Sequence, residues 1–208
     1  MTMRKWLTII LLFVSSLASH ARLPEDWLLS RFHYGLEWGY SQSLWLHRDF
    51  NITSVEGYRI YEKSQGFYLR PNGMLLGRVG YPLSEEFELS LLGGWMGTGK
   101  DNRFFPLLMR LSWYFQEEGF FAHVQGGVAW HTPAGGGFAK MAGTASAGSG
   151  YRIALGSGLN LDFMVSARYL HDHPLIPNPE GPGNVLDHNI RKNLAEYLSL
   201  DFSVALSF

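Results

Sequence analysis

The chain has no cysteine among its 208 residues. That excludes disulfides, thiol catalysis, thiolate-held metals and lipid attachment through a cysteine. Neither sign of charge is in excess: 17 Lys and Arg stand against 18 Asp and Glu, so no basic footprint for nucleic acid exists and no such partner is expected. Long apolar runs are missing too. The greasy stretch at residues 6–14 is well short of the roughly 20 residues a spanning helix needs. What remains is a chain rich in aromatics (15%) and glycine (24 residues). Such a composition fits a membrane protein built from strands, whose signal per segment is weak; a soluble secreted sandwich is the competing class.

The amino-terminal segment reads as an export signal. Arg4 and Lys5 precede the apolar stretch, and Ser19 and Ala21 supply small residues before a cut expected after Ala21. The expected organisation is a cleaved signal at 1–21 and a single barrel domain at 22–208.

The last eleven residues, 198–208, alternate strictly. Leu198, Leu200, Phe202, Val204, Leu206 and Phe208 share one parity; Ser199, Asp201, Ser203, Ala205 and Ser207 share the other. Successive side chains of a strand point to opposite faces. In a transmembrane barrel the apolar face meets lipid and the polar face lines the interior. Alternation of this kind predicts eight strands, at about 32–46, 66–81, 87–96, 105–115, 120–130, 144–155, 159–170 and 194–208. The connections sort by length. Those at 82–86, 116–119 and 156–158 are tight, while 47–65, 97–104, 131–143 and 171–193 are longer. Short turns at the periplasmic end and longer loops outside give that asymmetry, whereas a soluble sandwich has no reason to sort its loops by parity. The expected fold is all-β: an eight-stranded antiparallel transmembrane barrel of up-and-down topology. Trp38, Trp113, Trp130, Tyr81 and Tyr169 are candidates for its interfacial belts.

Eight strands enclose a space that side chains can fill. The inward parity carries Glu37, Glu88, Asp162 and Asp201 as acids and Arg70, Arg78, Arg110, Arg152 and Arg168 as bases, with His33 and His123 beside them. Isolated buried charges are too costly to persist, so these residues are expected to form an interior charge network that plugs the barrel.

Several motifs attract attention and fail. Gly94, Gly99 and Lys100 match the opening of a phosphate-binding loop, but Asp101 stands where Ser or Thr belongs and a strand follows. Asn51-Ile52-Thr53 is a formal glycosylation sequon, a coincidence if the barrel is that of a bacterial outer membrane. His171-Asp172-His173, with Asp187-His188 further along the same loop and His131 at the start of the preceding one, could be read as zinc or copper ligands. The spacing is weak and the segment rich in Pro and Gly, so solvated loop polarity is expected, with no metal and no cofactor.

The pattern as a whole, and above all the terminal strand from Tyr197 to Phe208, resembles the small OmpA/OmpX-type outer-membrane barrels and the outer-membrane β-barrel domain group. The resemblance implies a porin-like protein of the Gram-negative cell envelope, located in the bacterial outer membrane. Its surroundings would be outer-membrane lipid and lipopolysaccharide, and its last strand, ending at Phe208, would be read by the barrel-insertion machinery. Members of that group serve as structural elements, adhesins, small-solute conduits or enzymes on lipid.

A second resemblance is local. Arg168-Tyr169-Leu170-His171 followed by Asn178-Pro179 is similar to the region around the catalytic His of lipid A 3-O-deacylases, whose site is Ser-His-Glu. The family's Ser, two residues after the His, is replaced here by His173, and Ser166 lies on the opposite parity; Glu196 shares the outward parity. Without a nucleophile, acyl transfer has no attacking group. His171, His173 and Glu196 are therefore rim candidates only, and no catalytic residue is assigned. The expected function is non-enzymatic: a barrel with a filled interior in a structural or surface-interaction role, its outer loops displayed to an extracellular ligand. A lipid A-modifying, deacylase-like enzyme and a narrow conduit for small or apolar solutes are the alternatives.

Overall fold

The computed structural model describes residues 32–54, 56–99, 102–132, 141–156, 158–179 and 181–208. The expected export signal at 1–21 lies outside them. Eight strands follow one another: β1 (His33–Thr53), β2 (Arg59–Pro82), β3 (Phe87–Thr98), β4 (Asn102–Tyr114), β5 (Gly119–Thr132), β6 (Met141–Gly156), β7 (Leu159–Asp172) and β8 (Ile190–Ser207). Each pairs antiparallel with its neighbour, and β1 pairs with β8, so the sheet closes into a barrel. Closure pairs the strand edges around the barrel up to the level of Met74↔Met96, the condition for spanning lipid with strands. Tyr34 and Phe208 exchange both backbone hydrogen bonds at 2.8 Å and fasten the seam at its lower end.

The wall is inverted relative to a soluble protein. On β4, Leu107, Met109, Leu111 and Trp113 are exposed, whereas Arg110, Ser112 and Tyr114 are buried. On β8, Leu198 and Phe202 face out while Ser199, Asp201, Ser203 and Ser207 are buried. Apolar side chains outside and charged ones inside make sense only if lipid surrounds the barrel. The molecule is an integral membrane barrel of the outer-membrane type. Aromatics gather at both ends of the apolar band. Phe87 stacks on Trp113 at 5.9 Å beside the tight turns, and Trp45, Trp130 and Tyr169 are exposed at the other end. Trp38 departs from expectation: paired with Leu75 and Val204, it stands in mid-wall and not in a belt.

Three strands run well past the bilayer. β1 and β2 stay paired up to Thr53↔Arg59, and β1 and β8 up to Ile52↔Ile190. The long connection expected at 47–65 shrinks to residues 54–58, and that at 97–104 to 99–101. At about 3.3 Å per residue and the usual tilt, ten residues suffice to cross the apolar band. The upper parts of β1, β2 and β8 therefore form a flange above the membrane, with the sequon Asn51–Thr53 inside strand β1. The glycine motif at residues 94–99 belongs to the end of β3 and its turn, and a strand follows, so no phosphate-binding loop exists there. Lys100 and Asp101 lie outside the described residues.

Side chains fill the interior in tiers. At the tight-turn end Arg78 pairs with Glu88 and lies 3.4 Å from Asp162, which also receives Arg152 Nε at 2.7 Å. Tyr114 hydroxyl accepts from both guanidinium groups, at 3.0 and 2.8 Å. Higher up, Arg110 meets Glu37 at 2.8 Å and donates to Gln125 at 2.8 Å. Above that, Arg168 lies 3.4 Å from Asp201 and donates to Ser41 at 2.6 Å. An apolar tier of Met74, Met96, Phe104, Leu170 and Tyr197 closes the outer end. Arg70 corrects the sequence reading: its parity is inward, but it is exposed above the level where β2 leaves β3, its guanidinium 5.8 Å from the Tyr68 ring. His33 and His123 do point inward, His33 touching Glu88 at 3.1 Å.

Candidate functional site at the outer rim

Three adjacent strands bring polar side chains together on the outside of the wall, one residue pair above the aromatic level. Register sets the cluster. His47 on β1 stands opposite Glu196 on β8, and Glu196 stands opposite His171 on β7. Glu196 Oε2 lies 2.8 Å from His47 Nδ1, and Oε1 lies 3.6 Å from His171 Nδ1. The Tyr169 hydroxyl donates to the same carboxylate. Those donors, Tyr169 first and then His47, hold the Glu196 carboxyl below the ordinary carboxylate range. The cluster floors a shallow cleft of about 180 Å³ that Trp45 and Leu198 flank on the membrane side.

Of the three rim candidates from sequence, the structure unites His171 and Glu196 and assigns His173 elsewhere. The His173 ring lies 5.0 Å from that of His171, edge to face, but its Nδ1 sits 2.5 Å from the Asn193 carbonyl oxygen. Asn193 in turn donates to the Pro174 carbonyl at 2.5 Å, so His173 ties down the base of the 173–189 connection. His47 escaped the sequence reading because its partner is 149 positions away. Parity alone could have marked it as outward and adjacent to Trp45.

No aliphatic hydroxyl joins the cluster. Ser166 is buried on the inner face opposite Gly148 and Asp201, and Ser199 is buried beside Ser43. Tyr169 supplies the hydroxyl group at Glu196. A carboxylate that meets one phenol and one imidazole at hydrogen-bond distance, with the His171 imidazole at 3.6 Å, can grip hydroxyl or amine donors of a ligand and can shuttle a proton. It does not by itself supply an acyl-accepting nucleophile. Among the described residues no group of His, Asp and Glu has the arrangement of a metal centre.

A second His–carboxylate pair lies inside the mouth. His131 Nδ1 is 3.0 Å from Asp172 Oδ2, both side chains are fully buried, and Phe104 stacks on the imidazole at 4.5 Å. The sequence suggested His131 as the first residue of a loop and Asp172 as part of a His-Asp-His motif; in the fold both are wall residues pointing inward at the level of the apolar tier, opposite Phe104 and Ala195.

No family model matches the sequence. No curated protein matches it either. Among solved structures the chain is similar to Neisserial surface protein A, with 13% identity, 85% of this chain and 97% of that one covered, and a TM-score of 0.47. It is also similar to the outer membrane protein OprG from Pseudomonas aeruginosa, with 11% identity, 85% and 95% covered, and a TM-score of 0.48. The outer membrane protein AlkL, at 15% identity, 86% and 90% covered, gives a TM-score of 0.38. Identities this low carry no site residue across.

Proposed function

We propose that this protein is a plugged, non-conducting outer-membrane barrel that works on its outer surface, where its rim engages outer-leaflet lipid and its flange and 173–189 connection meet extracellular ligands. The filled interior carries the reading. Three tiers of ion-paired side chains, with buried apolar clusters that include Leu76, Leu92 and Leu108 and the tier at the outer end, occupy the bore from the tight turns to the mouth. A solute path would have to break buried ion pairs that are expensive to separate. The polar groups at the rim, by contrast, line an open cleft on the outside of the wall.

Planar-bilayer recording of the refolded protein tests this. Flat current traces at moderate voltage are expected. Discrete, ion-selective channel steps would overturn the plugged-barrel reading.

The approach of His171 to Glu196 favours one second reading, an enzyme acting on lipid at the rim. A nucleophile would then have to come from water activated by His171, since the aliphatic hydroxyls nearest the cluster face inward. Mass spectrometry of lipid A from cells expressing the chain decides it: an acyl-chain loss abolished by His171→Ala supports hydrolysis, and an unchanged lipid A profile removes it.

A further inference from the structure

The wall parts between β2 and the β3–β4 hairpin. β2 pairs with β3 only from Met74↔Met96 downward, whereas it stays paired with β1 for its whole upper length. Asn72 bridges the opening, donating through Nδ2 to the Gly99 carbonyl at 3.3 Å. The bridge needs glycine opposite it, since a Cβ at Gly97 would lie 2.8 Å from the Asn72 amide oxygen. What is left is a cleft of about 300 Å³ lined by Arg70, Asn72, Trp95, Asn102 and Arg103.

The charge of this cleft is unlike that of the bore. Arg78, Arg110, Arg152 and Arg168 each face a carboxylate inside the barrel. Arg70 and Arg103 are exposed, and neither has a carboxylate partner among the described residues. The level is informative as well. Arg103 follows the outward parity of Phe105, which is exposed to lipid, and stands two residues above it. Trp95 shares the outward side with Leu75. Arg103, of outward parity, and Arg70, of inward parity, therefore line the opening from opposite faces of the wall at the top of the apolar band, where lipid headgroups lie.

Guanidinium groups recognise phosphate by bidentate, charge-assisted hydrogen bonds. Asn72 and Asn102 add amide groups suited to sugar hydroxyls. Trp95 offers an amphipathic face at the membrane boundary. We propose that this cleft binds the phosphorylated sugar headgroup of an outer-leaflet glycolipid, with Arg70 and Arg103 on the phosphate. The proposal deepens the outer-rim reading and rests on it.

The test uses the full refolded chain in neutral detergent and measures binding of lipopolysaccharide, of the same lipopolysaccharide after phosphatase treatment, and of inorganic phosphate. Tight binding of the intact glycolipid is expected, with a loss of about ten- to a hundred-fold in the Arg70→Ala/Arg103→Ala double variant. Removal of the phosphates should produce a similar loss, and Arg70→Lys/Arg103→Lys should restore binding only in part, because an ammonium lacks the planar fork. Equal affinity for intact and dephosphorylated glycolipid would overturn the proposal. So would inorganic phosphate binding as tightly as the glycolipid, which would assign the cleft to a free anion. Both side chains are exposed, so the variants should keep the mobility shift between boiled and unboiled samples and the absence of conductance. A failure of binding in a barrel that stays silent sinks the cleft alone; channel activity in the wild type sinks the reading beneath it.

Discussion

Replacing Asp162 by Ala should be among the most damaging single changes to this barrel. The Asp162 carboxylate is fully buried and accepts Arg152 Nε at 2.7 Å and Nη2 at 2.8 Å, with Arg78 Nη1 at 3.4 Å. Truncation leaves Arg78 with Glu88, Ser90 and Tyr114, but leaves Arg152 with the Tyr114 hydroxyl and ring alone. Removing one partner of a buried ion pair costs about 3–5 kcal/mol, because the stranded charge keeps its desolvation penalty. That corresponds to roughly two to nearly four decades in the folding equilibrium. Urea titration of the refolded protein in micelles, followed by tryptophan fluorescence and by gel mobility without boiling, gives the midpoint and slope that measure it. Adding Arg152→Leu to Asp162→Ala removes the stranded guanidinium and should recover part of the loss, since an apolar replacement of buried ions is often neutral or better. Glu117→Ala, on the exposed turn between β4 and β5, serves as the control and should barely move the midpoint. A loss below about 0.5 kcal/mol in Asp162→Ala, or a double variant no more stable than the single one, would refute the argument that paired charges hold the bore together.

Two further predictions concern the rim and the seam. Tyr169 and His47 depress the Glu196 carboxyl in the folded state, so the stability it contributes is complete above the unfolded value of about 4.3 and is lost as pH falls through the folded one. Urea midpoints of the wild type should therefore drop in that acid window by more than those of Glu196→Gln; parallel profiles would mean that the donors do not hold the carboxylate. At the closing seam a Cβ on Gly39 would stand 2.5 Å from the Phe202 carbonyl oxygen and 2.7 Å from Ser203 Cβ. Gly39→Ala should cost about 1–3 kcal/mol by forcing β1 from β8, read from the same titrations, and a neutral result would show that the seam yields.

The strands were legible where two solvents act on them. On β4 and β8 lipid selects one face and a packed polar bore the other, so period-2 alternation persists in the sequence and fixes both parity and span. Above the bilayer that selection stops. Residues 59–65 of β2 are nearly all exposed, and residues 47–53 of β1 are half-buried with Asp49 and Ile52 buried. They carry no alternation of grease and charge and read as loop, yet they pair as strand. Arg70 was misread for a related reason: its parity was correct, but parity says nothing about the height at which β2 leaves β3.

Contacts across strands distant in sequence were the least accessible. The Glu196 cluster needs the β1–β8 register at the point of closure, and the His131–Asp172 pair joins β5 to β7 across β6. Alternation says that a side chain faces in or out; it does not say which residue it meets. The interior network was easier to anticipate because burial leaves a charge no alternative to pairing, whoever the partner turns out to be. At the rim that compulsion is absent: a polar side chain there can be satisfied by water. A cluster such as Tyr169, Glu196, His47 and His171 is therefore not required by folding, and the same holds for Arg70 and Arg103, two guanidinium groups without a carboxylate partner among the described residues. Pairing explains the charges inside the bore by itself; the charges at the rim are the groups that the proposed ligand would meet.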